Sequence, residues 1–160
     1  MIKQVIVMRT TYPYENGTKK LRRGKEIAQA CHASIAFLTG KIQRMLSGDN
    51  FSEWFSRAIH ADDPAEAYIE GFNAATELLN ISPVELEWIN GIFTKICLKV
   101  DTEEQLLEIK KKADEIGLQC HLITDRGLTE FGGVPTNTCL SIGPDEAHKI
   151  DEVTGGLELY

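Results

Sequence analysis

Four short apolar runs, set apart by stretches of helical period, constrain this chain more than any other feature of its sequence. The first, residues 2–10, carries Val5, Ile6, Val7 and Met8 and ends in polar residues, as a buried strand does. Residues 95–100, 120–124 and 137–142 repeat that pattern. Between them, residues 24–38 turn helical, with Ile27, Cys31, Ile35 and Leu38 on one face. Residues 102–117 predict a further helix, with an N-cap at Asp101 or Thr102 and Gly117 as its stop, and residues 144–153 a last short one. Strands separated by helices require crossovers. The expected class is therefore α/β, a three-layer α/β/α sandwich with a largely parallel sheet. The short connection between the third and fourth strands makes one of them antiparallel or an edge.

Residues 12–18 read as a loop around Pro13 and Asn16-Gly17, and the Asn-Gly pair has the chemistry to close a small hairpin. Residues 41–93 read as helical: a short amphipathic piece at 51–55, a second from Asp62-Asp63-Pro64 to about residue 79, and a third opened by a capping box in Ser82-Pro83-Val84-Glu85. No repeat, low-complexity tract or linker divides the chain. Residues 1–160 are thus expected to form one domain, with an acidic helical insertion within 41–93.

Charge narrows the partners. With 17 Lys+Arg against 24 Asp+Glu the net charge is -7, which argues against a bulk polycation coating nucleic acid or an anionic membrane. The sum hides an asymmetry, because Lys3, Arg9, Lys19, Lys20, Arg22, Arg23 and Lys25 face only Glu15 within residues 1–25. Residues 49–90, in contrast, hold nine acids against Arg57. Cys31, Cys97, Cys120 and Cys139 show no C-x-x-C pairing and read as small buried hydrophobes in a reducing compartment. No run approaches the length that spans a bilayer and none resembles a signal peptide, so a cytoplasmic protein without membrane contact is expected.

Several chemistries fail on spacing. A phosphate loop needs G-x-x-x-x-G-K-[ST], but Glu26 follows Lys25 and position 19 is Lys. There is no H-E-x-x-H and no G-x-S-x-G, and His32, His60, His121 and His148 are too scattered for a metal site, so no metal is expected. Two polar segments remain. Lys25, Gln29 and His32 project from one face of the first helix, whose amino end already favours an anion. Thr124-Asp125-Arg126-Gly127-Leu128-Thr129-Glu130 follows a strand, at the end where open α/β sheets bind ligands. Each has a plainer reading: His32 as a packed helical residue, Asp125 as a turn former, and Lys19, Lys20, Arg22 and Arg23 as a solvated loop.

Gly24-Lys25 with Ala28-Gln29 and His32-Ala33, then Asp125-x-Gly127-Leu128-Thr129-Glu130, Thr138, Ile142-Gly143-Pro144 and Ile150-Asp151-x-Val153-Thr154-Gly155, resemble the archaeal and eukaryotic-type peptidyl-tRNA hydrolases. The resemblance covers residues 1–10, 21–38 and 94–160, in the family's order. It implies a four-stranded mixed sheet with helices on both faces. It also implies hydrolysis of the ester between a peptidyl or N-blocked aminoacyl group and the 3′ ribose of tRNA, with no metal or organic cofactor.

By the same resemblance, Asp125 is the base or water-orienting carboxylate, and Thr129 and Thr138 position the water or the substrate carbonyl. Lys25, Gln29 and His32 line the cleft from the helix, while Lys19, Lys20, Arg22 and Arg23 meet phosphates. The chain departs from the family at Arg23, where a lysine is usual, and at Arg126, whose cation is expected to lower the pKa of Asp125. The turn at residues 131–135 is one residue longer than the family's. Two other classes compete with the enzyme: a catalytically silent RNA-binding module, and a homo-oligomeric scaffold that buries Trp54, Phe55, Trp88 and Phe93 against another copy instead of in its own core.

Overall fold

Val5 and Val7 point to one side of the first strand and Ile6 and Met8 to the other, and none of the four is more than 3% exposed. A strand buried on both faces needs a layer on each. The computed structural model describes residues 1–15, 17–47, 52, 56, 60, 63–65, 67–69, 71 and 79–160. The strand β1 (Ile2–Arg9) is followed by β2 (Tyr12–Tyr14), β3 (Gly17–Lys19), α1 (Arg23–Ser47), α2 (Pro83–Asn90), β4 (Lys95–Val100), α3 (Glu103–Glu115), β5 (Cys120–Asp125), β6 (Thr136–Glu146) and α4 (Ala147–Thr154).

The main sheet has four strands in the order β4-β1-β6-β5. β1 runs parallel to β4, with Val7 opposite Leu98. β6 runs antiparallel to both neighbours, its Leu140 lying between Val7 of β1 and Leu122 of β5. The sheet is mixed, as the family resemblance implies, where the alternation of strands and helices alone suggests a largely parallel one, because residues 126–135 are too short for a crossover and return β6 beside β5 as a hairpin. β6 also runs further than its sequence suggests. It passes through Gly143-Pro144 to pair Asp145 and Glu146 with Lys3 and Ile2, so α4 starts at Ala147 rather than at Pro144.

One face of the sheet carries the larger core, where Leu106, Ile109 and Ala113 of α3 and Ile150 and Val153 of α4 cover Val5, Val7, Leu98, Leu140 and Ile142. α3 starts on a complete capping box: Thr102 Oγ1 accepts from the Gln105 N–H, and the Gln105 side chain accepts from the Thr102 N–H. Gly117, at φ 73°, ends it as expected. On the other face Ala30 and Ala33 of α1 pack over Ile6, Met8 and Cys139. This is not the face its apolar spacing suggests: Ile27 and Ile35 are 57% and 52% exposed and Cys31 is exposed, while Gln29 and Ala33 are buried. The small side chains of Ala30 and Ala33 let the helix approach the sheet, and Gln29 finds hydrogen-bond partners there.

Residues 12–18, expected as a loop, instead contribute a two-stranded hairpin that pairs Tyr12 with Lys19 and Tyr14 with Gly17. Tyr12 fastens it, with its hydroxyl donating to Arg9 O at 2.9 Å and its ring tilted against Phe131 at 5.2 Å. The cysteines divide: Cys139 is buried and Cys120 half-buried, but Cys31 and Cys97 are exposed and do not belong to a core.

The chain divides into two compact units, residues 1–36 with 84–160 and residues 37–83. The helices expected at 51–55 and 62–79 fall largely outside the described residues, as do Trp54 and Phe55. α2 lies where its Ser-Pro signal predicts it. Its Trp88 is 2% exposed, donates to Thr94 O at 2.9 Å and stacks on Phe93 of the same chain at 3.9 Å. Among the described residues no helix is long and apolar enough to cross a membrane.

Candidate active site

β5 ends at Asp125, where the chain must turn, and Gly127 makes that turn at φ 79°. The Gly127 N–H donates to Asp125 Oδ1 at 2.8 Å. From the covering helix Gln29 Nε2 donates to Asp125 Oδ2 at 2.8 Å, and Lys25 Nζ lies 2.5 Å from the same oxygen. Lys25 and Gln29 are four residues apart, one above the other on α1, so a single helix delivers both donors to one carboxylate. Thr138, on β6, donates from Oγ1 to Gln29 Oε1 at 2.8 Å. That acceptor bond fixes which way the Gln29 amide points, and leaves its NH₂ for Asp125.

Burial works to raise the Asp125 pKa. It is outweighed by the bonds from Lys25, from the Gly127 N–H and from Gln29, so the carboxyl is held below the ordinary carboxylate range. The expected cause, Arg126, is exposed and is not among the main ones. A carboxylate has about four acceptor positions, two on each oxygen. Oδ2 is filled by Lys25 and Gln29, while among the described residues Oδ1 accepts from Gly127 alone. One acceptor position on Oδ1 is therefore open. Side-chain exposures of 10% for Asp125 and 21% for Lys25 leave both within reach of a small ligand.

The remaining sequence candidates sort by position. Gln29 and Thr138 belong to the group but are 3% and 0% exposed, so they hold Asp125 from behind. His32 and Thr129 are exposed, and no described contact joins either to Asp125. Lys19 Nζ donates to Glu130 O, and Arg22 Nε meets Glu130 Oε1 at 2.6 Å. Lys20 and Arg23 are exposed at the entrance to α1. Two residues of this region receive no role from sequence pattern. Glu130 ties the basic stretch to the loop after β5, and its place in the Asp125–Glu130 motif was the available signal. Arg9, 4% exposed, reaches Glu103 Oε2 at 2.7 Å and Asn137 O at 3.2 Å and locks the end of the sheet; its position closing the first strand gave no such hint.

Comparison with known proteins matches the sequence to a family. The family model described as peptidyl-tRNA hydrolase PTH2 matches residues 2–160. A peptidyl-tRNA hydrolase of Methanopyrus kandleri is 37% identical over 160 residues, covering 99% of this chain and 98% of its own. That of Nanoarchaeum equitans is 32% identical over 160 residues, with both chains covered in full (100% and 100%). That of Methanothermobacter thermautotrophicus is 32% identical over 158 residues, with 99% of each covered. The similarity therefore runs through residues 11–20 and 39–93 as well, beyond the segments that carry the motifs.

Proposed function

The chain belongs to the peptidyl-tRNA hydrolase PTH2 family, and from that membership we infer that it hydrolyses the ester joining a peptidyl or N-blocked aminoacyl group to the 3′ ribose of tRNA, with Asp125 as the carboxylate that meets the attacking water. The observation that carries this assignment is the open acceptor position on Asp125 Oδ1, beside the Lys25 ammonium. A water bonded there is oriented for attack on the carbonyl carbon. As the carbon–oxygen bond forms, the water's proton moves to the carboxylate and negative charge develops on the carbonyl oxygen. Lys25 has two N–H donors beyond the one that meets Asp125, and they stabilise that oxyanion. Collapse of the tetrahedral species breaks the bond to the ribose 3′ oxygen, which takes the proton and leaves as a hydroxyl. Gln29 and Thr138 are positioning residues, while His32 and Thr129 stand at the rim where the acyl group or the ribose passes.

A silent RNA-binding module is the weaker reading. An ionised carboxylate in the middle of a cationic entrance repels phosphates, and a surface built only to hold RNA gains nothing from three donors that keep that carboxylate charged. The direct test is release of the N-acetyl amino acid from N-acetyl-aminoacyl-tRNA. Multiple turnovers are expected, and RNA binding without turnover would make the protein a binder.

Within the same proposal Lys19, Lys20, Arg22 and Arg23 take the phosphates. Replacing Lys19, Lys20 and Arg22 with Ala is expected to flatten the salt dependence of tRNA binding, by about 0.7–0.9 in the slope of log K against log[salt] for each phosphate no longer neutralised. An unaltered slope would return these residues to a solvated loop. The acid limb of the pH profile offers another check. Because Asp125 must be ionised and its pKa is depressed, activity is retained down to a pH below the usual carboxylate range and is lost only as pH falls through the depressed value. Lys25→Met removes a lowering contribution, so the acid limb of the residual activity moves to higher pH; a limb that stays put would detach Asp125 from the titration.

We keep the cytoplasm as the compartment, from the chemistry of the substrate, and a homodimer as the assembly, from the exposed Ile27 and Ile35 on α1. Residues 41–93 are read as a helical addition to a single domain whose acidic character keeps phosphates away.

A further inference from the structure

Beside the Asp125 group, but sharing none of its residues, the hairpin of β2 and β3 and the loop at 130–135 enclose an open cavity of about 490 Å³. Pro13, Tyr14, Phe131, Val134 and Pro135 give it apolar walls, with Thr136 at the start of β6, and Glu15, Glu103 and Glu130 line it as well, Glu103 paired with Arg9 and Glu130 with Arg22. Thr136 is the cross-strand partner of Asp125, so the cavity opens one residue pair from the carboxylate. Lys19 stands between its two rings, with Nζ 4.9 Å from the Tyr14 centroid and 5.1 Å from that of Phe131. Phe131 is further engaged by Tyr12, whereas Tyr14 is 52% exposed and has a ring face to offer.

We propose that this cavity binds the 3′-terminal nucleoside of the tRNA acceptor end, with its base against Tyr14 and its phosphate toward Lys19 and Lys20. The proposal rests on the hydrolase reading given above and deepens it. A ring platform flanked by lysines is how proteins hold single-stranded nucleic acid, since every base has a π-face and every linkage a charge. The ester is carried on the ribose of that same terminal nucleoside, so a base seated here lies one sugar away from the bond that Asp125 must reach. The acyl group is the weaker occupant. Peptidyl groups differ from one substrate to the next, while the terminal adenosine is common to every tRNA, and a preformed cavity of fixed shape suits the part that does not vary. The basic stretch then continues the path of the backbone past Arg22 and Arg23.

The test uses the unacylated trinucleotide CCA, measured both by equilibrium binding and as a competitive inhibitor of N-acetyl-aminoacyl-tRNA hydrolysis. Tyr14→Ala is expected to weaken CCA binding, and to raise KM, by at least about fivefold, the low end of the effect of removing one stacking platform. Tyr14→Phe, which keeps the ring, restores most of that loss. Val134→Glu, a change at a side chain 62% exposed in the loop that lines the cavity, is expected to weaken CCA binding by adding bulk and a further negative charge to the lining. CCA binding unchanged in both Tyr14→Ala and Val134→Glu would overturn the proposal. So would altered discrimination between N-acetyl-phenylalanyl-tRNA and N-acetyl-glycyl-tRNA with CCA binding intact, which gives the cavity to the acyl group. The hydrolase reading fails separately, in the wild type, by absence of turnover, and CCA binding is read without turnover.

Discussion

Asp125→Asn is expected to lower kcat/KM for N-acetyl-aminoacyl-tRNA by about 10²- to 10⁴-fold, the range typical of a positioned acid–base group. The substitution keeps the shape of the side chain and an oxygen for the Gly127 N–H. It removes the charge that meets Lys25, and with it the ability to draw a proton from water. Lys25, 21% exposed, can turn its ammonium to solvent, so the melting temperature is expected to fall far less than the rate. Hydrolysis within tenfold of the wild type would move the reacting water away from Asp125. Thr138→Val provides the contrast: it leaves the carboxylate charged but frees the Gln29 amide to rotate, and its smaller effect would follow from that loss of orientation alone.

Gly127→Ala is expected to damage stability and activity together. A Cβ at Gly127 would stand 2.2 Å from Val134 O and 2.7 Å from its C and N, all backbone atoms that cannot move independently of the loop. The φ of 79° is itself a conformation that side chains rarely adopt, costing about 1–3 kcal/mol before any clash is counted. At roughly 2–4 °C per kcal/mol for a chain of this size, the shift is within easy reach of a thermal melt. The same turn supplies the N–H on Asp125 Oδ1 and sets the position of the cavity wall at Val134. A variant with the wild-type melting temperature and rate would mean that the turn can be rebuilt without cost.

Much of this architecture is written locally. Thr102, Gln105 and Gly117 mark the ends of α3 because caps and stops are properties of a few neighbouring residues, and β1 announces itself by an unbroken apolar run. The departures from expectation have a common source in distant partners. α1 turns Lys25 and Gln29 toward the sheet and leaves Ile27 and Ile35 in solvent, since Asp125 and Thr138, 96 or more positions away, claim the polar face. Pro144 reads as a break until β1 is seen to pair beyond it. Arg9 and Glu130 draw their meaning from Glu103 and Arg22, and no window of adjacent residues contains either pair. Sequence pattern is thus least reliable where side chains have work other than packing.

β6 is the strand that both β1 and β5 use as their neighbour, and it is also the last strand in the chain. A polypeptide leaving the ribosome carries β1, α1 and Asp125 into solution before the strand that unites them has been made. Until then β1 has an open edge, Gln29 lacks Thr138, and the loop that includes Gly127 has nothing to return to. Pairing over so long a stretch of chain is slow to close, and here it closes the sheet and aligns the carboxylate in one event. A nascent copy therefore has neither its full sheet nor an oriented Gln29 until translation has passed β6, and the two are completed together.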